Sequence, residues 1–304
     1  AEYDCTGRIV MAGAIDPQLN EGTLKDAKPH GRGPSHYLGQ NFAKSADVKF
    51  LNKEGQLEYV HATSWGVSTR LIGALIMTHS DDNGLILPPK LAPIQVVIVP
   101  IYKTPEEQAA TGAESQAVAK ELRAQGLAVK VDDREGLQPG AKYYEWERKG
   151  VPVRIEVGPK DLEKGSLCVV RRFVLEKEGE SEQDLRKRKK QFLPRAEAIA
   201  GMPALMDLLQ KELLERARAM REKRTRIIDT LADFEAFFKG EGGGFAWVHW
   251  AGTHEDEDAM AKRYETSIRC IPFAEQIPEA ARGAGTCILT GKPSTQRVLM
   301  AKAY

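Results

Sequence analysis

The chain has 304 residues, of which 42% are hydrophobic and 29% charged, and its formal net charge is only +1. This composition excludes a disordered tail, and the apolar runs are too short for a membrane-spanning helix. The low net charge means that any contact with nucleic acid would depend on local basic patches. Four cysteines without a close pair favour a reducing compartment. We therefore expect a cytoplasmic protein with no membrane partner.

The first thirty or so residues are rich in turn formers and show no apolar period. From Ser35 onwards the pattern sharpens. Alternating apolar residues predict strands over 46–51 and 57–62. The apolar run from Leu71 to Met77 predicts a buried helix. This length of chain leaves room for two or three domains.

The next part of the chain has the pattern of a small α/β domain. Its run of β-branched residues at 95–101 is typical of a strand covered on both faces. Thr104 followed by Pro-Glu-Glu predicts the start of a helix that ends near Gln125. A strand at 127–131 would make this a right-handed parallel crossover. Two further strands are predicted at 151–157 and 167–175.

A highly charged segment, 176–190, follows this domain. Its basic run Arg186–Lys190 could contact the phosphates of a nucleic acid, or could simply be the solvated face of a helix. Beyond it, apolar residues at helical spacing predict a long amphipathic helix over 205–226. The last region has predicted strands near 245–250 and 297–303.

The stretch Ser64-Trp-Gly-Val-Ser-Thr-Arg70 combines a strand end, a glycine and an arginine that enters a helix. The forked donors of an arginine suit a triphosphate, and Gly66 would let a ligand approach the backbone closely. The alternative is that Arg70 caps an acidic surface patch. By itself the pattern does not decide between the two.

Three segments, 35–42, 63–70 and 77–95, closely resemble prolyl-tRNA synthetases of the archaeal/eukaryotic-like type. The segment 63–70 resembles motif 3 of class II synthetases. The resemblance implies an α/β and α+β multidomain fold of three parts. These are the end of a class II antiparallel-sheet catalytic domain (1–93), an α/β anticodon-binding domain (94–195) and a C-terminal α/β domain (196–304).

The resemblance also implies roles for individual residues. Arg70 would be the catalytic arginine, and the ATP-binding residues would be Ser68, Thr69 and Arg70. The proline-binding residues would be His36, Ser64, Trp65 and Gly66. The implied activity is that of a proline–tRNA ligase, which uses ATP with Mg²⁺ and L-proline to charge proline tRNA. Charge neutralisation on phosphate and rigid positioning suffice for adenylate formation. The resemblance further implies that the full-length protein is a homodimer.

The specific part of the anticodon-binding domain is the segment 140–161. A proline anticodon ends in two guanines, whose edges suit a carboxylate and a cation, and an unpaired base can stack on an aromatic ring. By resemblance, the anticodon-binding candidates are Tyr143, Glu147, Arg154, Lys160 and Asp161. The alternative is that Tyr143 and Trp146 are core aromatics and that Lys160 and Asp161 form an ion pair within a loop.

The start of the chain departs from the family. Gly31 and Pro34 occupy positions where the family has a glutamine and a threonine that contact ATP, and motifs 1 and 2 are not found. We therefore expect this chain alone to be inactive as a ligase. Truncation, a frame error or a degenerate paralogue would each explain the departure. The alternative function is an inactive paralogue or a stand-alone tRNA-binding module.

The C-terminal domain of this synthetase type often holds zinc through four cysteines. Tracing that pattern onto this chain puts Ala251, Asp256, Cys287 and Thr290 at the four positions. A single thiolate cannot form a closed structural site. We therefore predict no zinc and no other bound metal.

Overall fold

A computed structural model of the chain describes residues 35–65, 69–239 and 243–302. Strands β1 (Ser35–Gly39) and β4 (Ala62–Trp65) pair antiparallel, and β2 (Lys49–Leu51) pairs with β3 (Leu57–Tyr59). The first predicted strand was too long, because helix α1 (Asn41–Ser45) precedes it and Asp47 has a φ of 52°. A positive φ is incompatible with an extended strand.

Helix α2 (Arg70–His79) confirms a helix behind Arg70, but the expected burial is wrong, because Ile72 and Met77 are 62% and 61% exposed. The segment that follows it lies against a helix end further along the chain. The N–H of Leu85 donates to the carbonyl of Arg148 at 3.0 Å. Gly84 has a φ of 131°, and a Cβ there would lie 2.6 Å from the Arg148 Cα, so only glycine allows this approach.

A five-stranded mixed sheet forms the middle of the chain, in the order β6-β5-β7-β8-β9. Its strands are β5 (Val96–Pro100), β6 (Val129–Val131), β7 (Val153–Val157), β8 (Ser166–Arg171) and β9 (Lys190–Pro194). Strand β5 pairs in parallel with β6 and β7, whereas β8 and β9 are antiparallel to their neighbours.

Helix α3 (Pro105–Ala124) connects β5 to β6 and confirms the predicted crossover. It begins at Thr104 as predicted, and the structure shows a full capping box there, in which the Thr104 hydroxyl accepts from the Glu107 N–H at 3.2 Å. Three further helices in this region are α4 (Pro139–Arg148), α5 (Pro159–Lys164) and α6 (Glu182–Lys189).

The charged segment 176–190 holds more structure than its composition indicated. It contains α6 and leads directly into β9, an edge strand whose first three residues are exposed. Because β9 lies at the edge and buries little, it lacks the alternation by which strands are predicted.

The two faces of the sheet are covered unequally. Helices α3, α7 (Arg195–Ala200) and α8 (Met202–Lys223) pack on one face. The largest apolar cluster lies there, and it includes Ile98, Leu122, Ile155, Leu167 and Met202. On the other face, α4 covers β5 through Trp146. Glu156 and Cys168 are also buried on this face, whereas Phe192 of the edge strand β9 is 64% exposed.

The C-terminal region contains a four-stranded sheet in the order β10-β11-β15-β12. Its strands are β10 (Thr225–Ile227), β11 (Phe245–His249), β12 (Thr266–Cys270) and β15 (Arg297–Lys302), while the short strands β13 (Gly285–Thr286) and β14 (Pro293–Ser294) pair with each other. Helices α9 (Leu231–Lys239) and α10 (His254–Tyr264) contribute Phe234 and Met260 to its core. Strands β11 and β15, both predicted from the sequence, pair antiparallel.

Spatial clustering divides the chain into two compact units. One unit is Ile72–Ala217, and the other combines the described residues before Ile72 with the described residues from Arg218 onwards. The domain limits 1–93, 94–195 and 196–304 stay predictions, since compact units in space need not coincide with domains in sequence. Within the described ranges, no helix is long and apolar enough to cross a membrane.

Candidate functional site

The face of the five-stranded sheet opposite α3, α7 and α8 carries a cleft of about 350 Å³. Its floor is a single row of residues in register across four strands: Val97, Arg154, Val170 and Lys190. The strand pairing therefore places the cations of β7 and β9 on one surface. Two strand spacings, or about 10 Å, separate their backbones.

The walls of the cleft come from helices on either side of this row. Trp146 and Glu147 of α4 form one wall, and Arg186 and Lys189 of α6 form the other. The lining contains one carboxylate and six cations, namely Arg154, Arg171, Arg172, Arg186, Lys189 and Lys190. Such an excess of positive charge in a concave surface favours an anionic ligand.

Two of the six cations are committed to holding the protein together. Arg172 is 7% exposed, and its Nε donates to the carbonyls of Leu85 and Glu147 at 3.0 and 3.1 Å. It also donates to the carboxylate of Asp81 at 2.9 Å. Arg171 is 6% exposed and pairs with Glu212 of α8. These two arginines shape the end of the cleft and have little capacity left for a ligand.

The other four cations face the opening. The Arg154 guanidinium stacks 4.1 Å from the centroid of the Tyr143 ring, and its Nε and Nη2 donate to Glu156 at 3.1 and 2.9 Å. Lys190 Nζ donates to the other oxygen of Glu156 at 2.9 Å. Lys189 Nζ lies 3.5 Å from a carboxylate oxygen of Glu147. Arg186 pairs with Glu182, an exposed neighbour on its own helix.

Glu156 is the buried anion beneath these cations, with 5% of its surface exposed. Burial by itself would raise the pKa of its carboxyl, but the hydrogen bonds and charges of Lys190 and Arg154 outweigh burial and lower it. Burial and then the charge of Glu156 raise the pKa of the Tyr143 hydroxyl. At neutral pH the cleft thus has an ionised Glu156 and a protonated Tyr143.

Helix α4 is held against the sheet by a buried carboxylate at the end of β6. Asp132 accepts from Trp146 Nε1 at 2.7 Å and from Arg134 Nε at 2.8 Å, and Lys142 Nζ donates to its backbone carbonyl at 3.0 Å. Burial opposes ionisation, yet the hydrogen bonds from Arg134 and Trp146 bring the pKa of Asp132 down to about 2. This network fixes the helix that presents Tyr143 and Glu147.

The five anticodon-binding candidates are only partly brought together. Glu147 and Arg154 line the cleft, and Tyr143 lies behind the lining in contact with Arg154. Lys160 and Asp161 lie in the first turn of α5, after the end of β7, and do not line the cleft. The Asp161 carboxylate accepts from the backbone N–H of Gly158 at 3.0 Å. The roles of all five stay predictions.

The segments with the predicted proline-binding residues are neighbours in space. His36 on β1 pairs in register with Ser64 on β4, and Trp65 ends that strand. Thr69 precedes α2, and Arg70 is its first residue. Gly66 and Ser68 lie outside the described residues. The antiparallel pairing joins two of the three family-like segments, and their ligand roles stay predictions.

The four positions traced for zinc lie in and around α10 and the β13–β14 turn. Cys287 is 2% exposed. Burial opposes its ionisation, but hydrogen bonds from the Thr290 hydroxyl and nearby backbone N–H groups lower the pKa of the thiol. Asp256 belongs to the capping box of α10. No group of three or more His, Cys, Asp or Glu residues suited to a metal occurs within the described ranges. The absence of zinc stays a prediction.

Two family models match the chain. The anticodon binding domain model matches residues 95–204, which include the five-stranded sheet and every residue of the cleft. The model of the prolyl-tRNA synthetase C-terminal domain matches residues 232–304. Relatives named proline–tRNA ligase are 47% identical in Christiangramia forsetii and 45% in Bacteroides fragilis, each over 97% of the chain. This chain belongs to the prolyl-tRNA synthetase family.

The match defines which part of such a synthetase the chain represents. It spans 56% of the length of these two relatives and 57% of a relative from Roseiflexus castenholzii that is 44% identical. With its anticodon-binding and C-terminal domain matches, the chain corresponds to the C-terminal part of a prolyl-tRNA synthetase.

Sequence reasoning missed several residues of the synthetase cleft. In Val-Arg-Ile-Glu-Val, Glu156 lies two residues after Arg154. The period of two of a strand therefore already places both side chains on one face of β7. Lys190 was indicated only as part of a basic run. Its place beside Arg154 follows from the pairing of β8 with β9, which leaves no signal in a single sequence.

Proposed function

We propose that this chain binds the anticodon arm of proline tRNA, with the cleft between α4 and α6 as the site that reads the anticodon. The observation that carries the proposal is the group of cations that lines the cleft, inside the region matched by the anticodon binding domain model. A concave, cationic surface beside aromatic rings suits the unpaired bases and phosphates of an RNA loop.

Each group in the cleft would have a defined task. The Glu147 carboxylate accepts from N1 and N2 of a guanine, and the Arg154 guanidinium donates to O6 and N7. Glu156 holds Arg154 in place through two hydrogen bonds. Lys189 and Arg186 contact backbone phosphates without regard to sequence. Lys160 and Asp161 would contact a neighbouring nucleotide from α5.

We further propose that the full-length protein is a proline–tRNA ligase, in keeping with the names of its relatives. In this proposal ATP with Mg²⁺ and L-proline are its substrates, and the protein acts as a homodimer. Arg70, Ser68 and Thr69 contact ATP, while His36, Ser64, Trp65 and Gly66 surround the prolyl group. The pairing of β1 with β4, which brings His36 and Ser64 together, supports this arrangement.

Binding of a hairpin RNA with the sequence of a proline tRNA anticodon arm tests the first proposal. Replacing either guanine of the anticodon by adenine should weaken binding about 10-fold or more, since a good bidentate base contact is worth about 1–3 kcal/mol. The substitution Glu147→Gln should reduce this preference for guanine. Glu178→Gln, an exposed carboxylate outside the cleft lining, is the matched control. Equal affinity of the unsubstituted chain for the guanine and adenine hairpins would contradict the proposal.

Proline-dependent exchange between ATP and pyrophosphate, measured with the full-length gene product, tests the ligase proposal. We expect exchange in the full-length product and its loss in Arg70→Gln. Glu147→Gln should leave exchange intact, because the cleft acts on tRNA and not on the adenylate. No exchange would favour the inactive paralogue or the stand-alone tRNA-binding module.

A further inference from the structure

Another row of side chains lies beside the floor of the cleft. The register places Val99, Glu156, Cys168 and Phe192 side by side across β5, β7, β8 and β9. This row lies two residues along each strand from the row that contains Arg154 and Lys190. Side chains two residues apart on a strand share a face and are separated by about 6.7 Å. Phe192 therefore lies on the same surface as the cleft.

The ring of Phe192 is 64% exposed, although it lies on a sheet that buries large apolar residues on its other face. Single exposed apolar residues are common and need no explanation by themselves. The surroundings of this one are unusual, because Lys190 Nζ lies 5.8 Å from its ring centroid and is itself held by Glu156. The result is an open aromatic face bordered by cations.

We propose that Phe192 stacks against an unpaired base of the anticodon loop, next to the base held in the cleft. This inference rests on the proposed function and adds to it a residue outside the five candidates. Aromatic rings bind every base through its π-face, so Phe192 would contribute affinity and not sequence preference. Lys190 would place a phosphate of the same strand nearby.

The geometry favours a nucleic acid over a protein partner. A protein docking on this face would have to desolvate Arg154, Lys189 and Lys190 around one exposed phenyl ring, which is costly without paired acids. A single RNA strand satisfies both features, because its bases stack while its phosphates pair with cations. Cys168, between Glu156 and Phe192, takes no chemical part, since burial and the charge of Glu156 raise the pKa of its thiol to about 12.

The test compares three variants on the same anticodon-arm hairpin. Phe192→Leu should weaken binding about 5- to 150-fold, which corresponds to about 1–3 kcal/mol of stacking. Phe192→Tyr keeps the ring and should bind within about 2-fold of the unsubstituted chain. Phe273→Leu, the same change at a ring that is 57% exposed in the other compact unit, is the matched control and should bind normally. Circular dichroism checks that all three fold.

The salt dependence of binding separates stacking from charge. Phe192→Leu should leave the slope of log affinity against log salt unchanged, whereas Lys190→Gln should reduce it by about 1. With 2-aminopurine placed in the loop beside the guanines, its fluorescence should be quenched on binding by the unsubstituted chain and less so by Phe192→Leu.

Each remaining outcome overturns the inference. If Phe192→Leu binds as tightly as the unsubstituted chain, stacking by Phe192 is wrong while the proposed function stands. Stacking by Phe192 is also wrong if Phe192→Leu lowers the affinity together with the slope of log affinity against log salt, because Phe192 would then act through Lys190. If the unsubstituted chain shows no preference for the guanine hairpin, both the proposed function and this inference fail.

Discussion

The two faces of the five-stranded sheet are built from the same strands but serve different ends. Along β7, Val153, Ile155 and Val157 point to the face covered by α3, α7 and α8, which we call the closed face, and are fully buried. Arg154 and Glu156 alternate with them and point to the face that carries the cleft, which we call the open face. There they form part of a charged network. A strand has a period of two, so it can build a core on one side and a binding surface on the other.

The difference between the two faces separates the source of stability from the surface available for binding. On the closed face, three helices remove a continuous apolar layer from water, and that burial is the main source of stability. On the open face, α4 and α6 flank a cleft, and charged side chains hold one another in place. Substitutions on the closed face should therefore affect folding, and those on the open face should affect binding.

The largest effect on stability should come from the closed face. Leu122 of α3 is fully buried in its core, so Leu122→Ala should destabilise the Ile72–Ala217 unit by about 2–5 kcal/mol. Urea-dependent hydrogen exchange of peptides from β7 measures this locally. Leu122→Met conserves volume and should cost less than about 1.5 kcal/mol. A loss below about 1 kcal/mol for Leu122→Ala would mean that the closed face is not the principal core.

An intermediate effect should come from Asp132, the buried acid beneath the open face. Its pKa in the folded protein is about 2, below the ordinary value of 3.8. Stability from its ionised form is therefore fully present above about pH 4 and is lost as the pH falls towards about 2. The shift corresponds to about 2 kcal/mol.

Asp132→Asn should remove this contribution at neutral pH and flatten the fall in stability between about pH 4 and pH 2. Urea unfolding at a series of pH values checks both effects. Asp133→Asn, at the exposed neighbouring position, is the control and should keep the acid dependence. An unchanged acid profile in Asp132→Asn would show that other carboxylates account for it.

The closed face was predicted from the sequence much better than the open one. The β-branched run of β5 and the Thr104-Pro-Glu-Glu start of α3 are local signals, and both elements were found where expected. The open face depends on β9, whose exposed residues carry no alternation, and on a register with β8 that links residues far apart in the chain. Arg154 was found by resemblance, and the period of β7 places Glu156 on the same face, but the neighbour Lys190 required the pairing of β8 with β9.

The smallest effect on stability should come from Arg186, at the outer wall of the cleft. Its side chain is 76% exposed and pairs with Glu182, which is 77% exposed. An ion pair so open to water contributes little, so Arg186→Gln should change the free energy of unfolding by less than about 0.5 kcal/mol. If Arg186 contacts a phosphate, the same change should reduce the salt slope of hairpin RNA binding by about 1.

Glu182→Gln is the matched control for Arg186, because it removes the partner and leaves the cation in place. Its stability should also be unchanged, but RNA should bind as well as before or slightly more tightly, since the guanidinium no longer has a competing anion. Opposite effects of the two variants on binding, with equal stability, would assign Arg186 to the open face as a ligand contact. If both variants bind RNA like the unsubstituted chain, α6 is a solvated helix face, and the binding surface ends at β9.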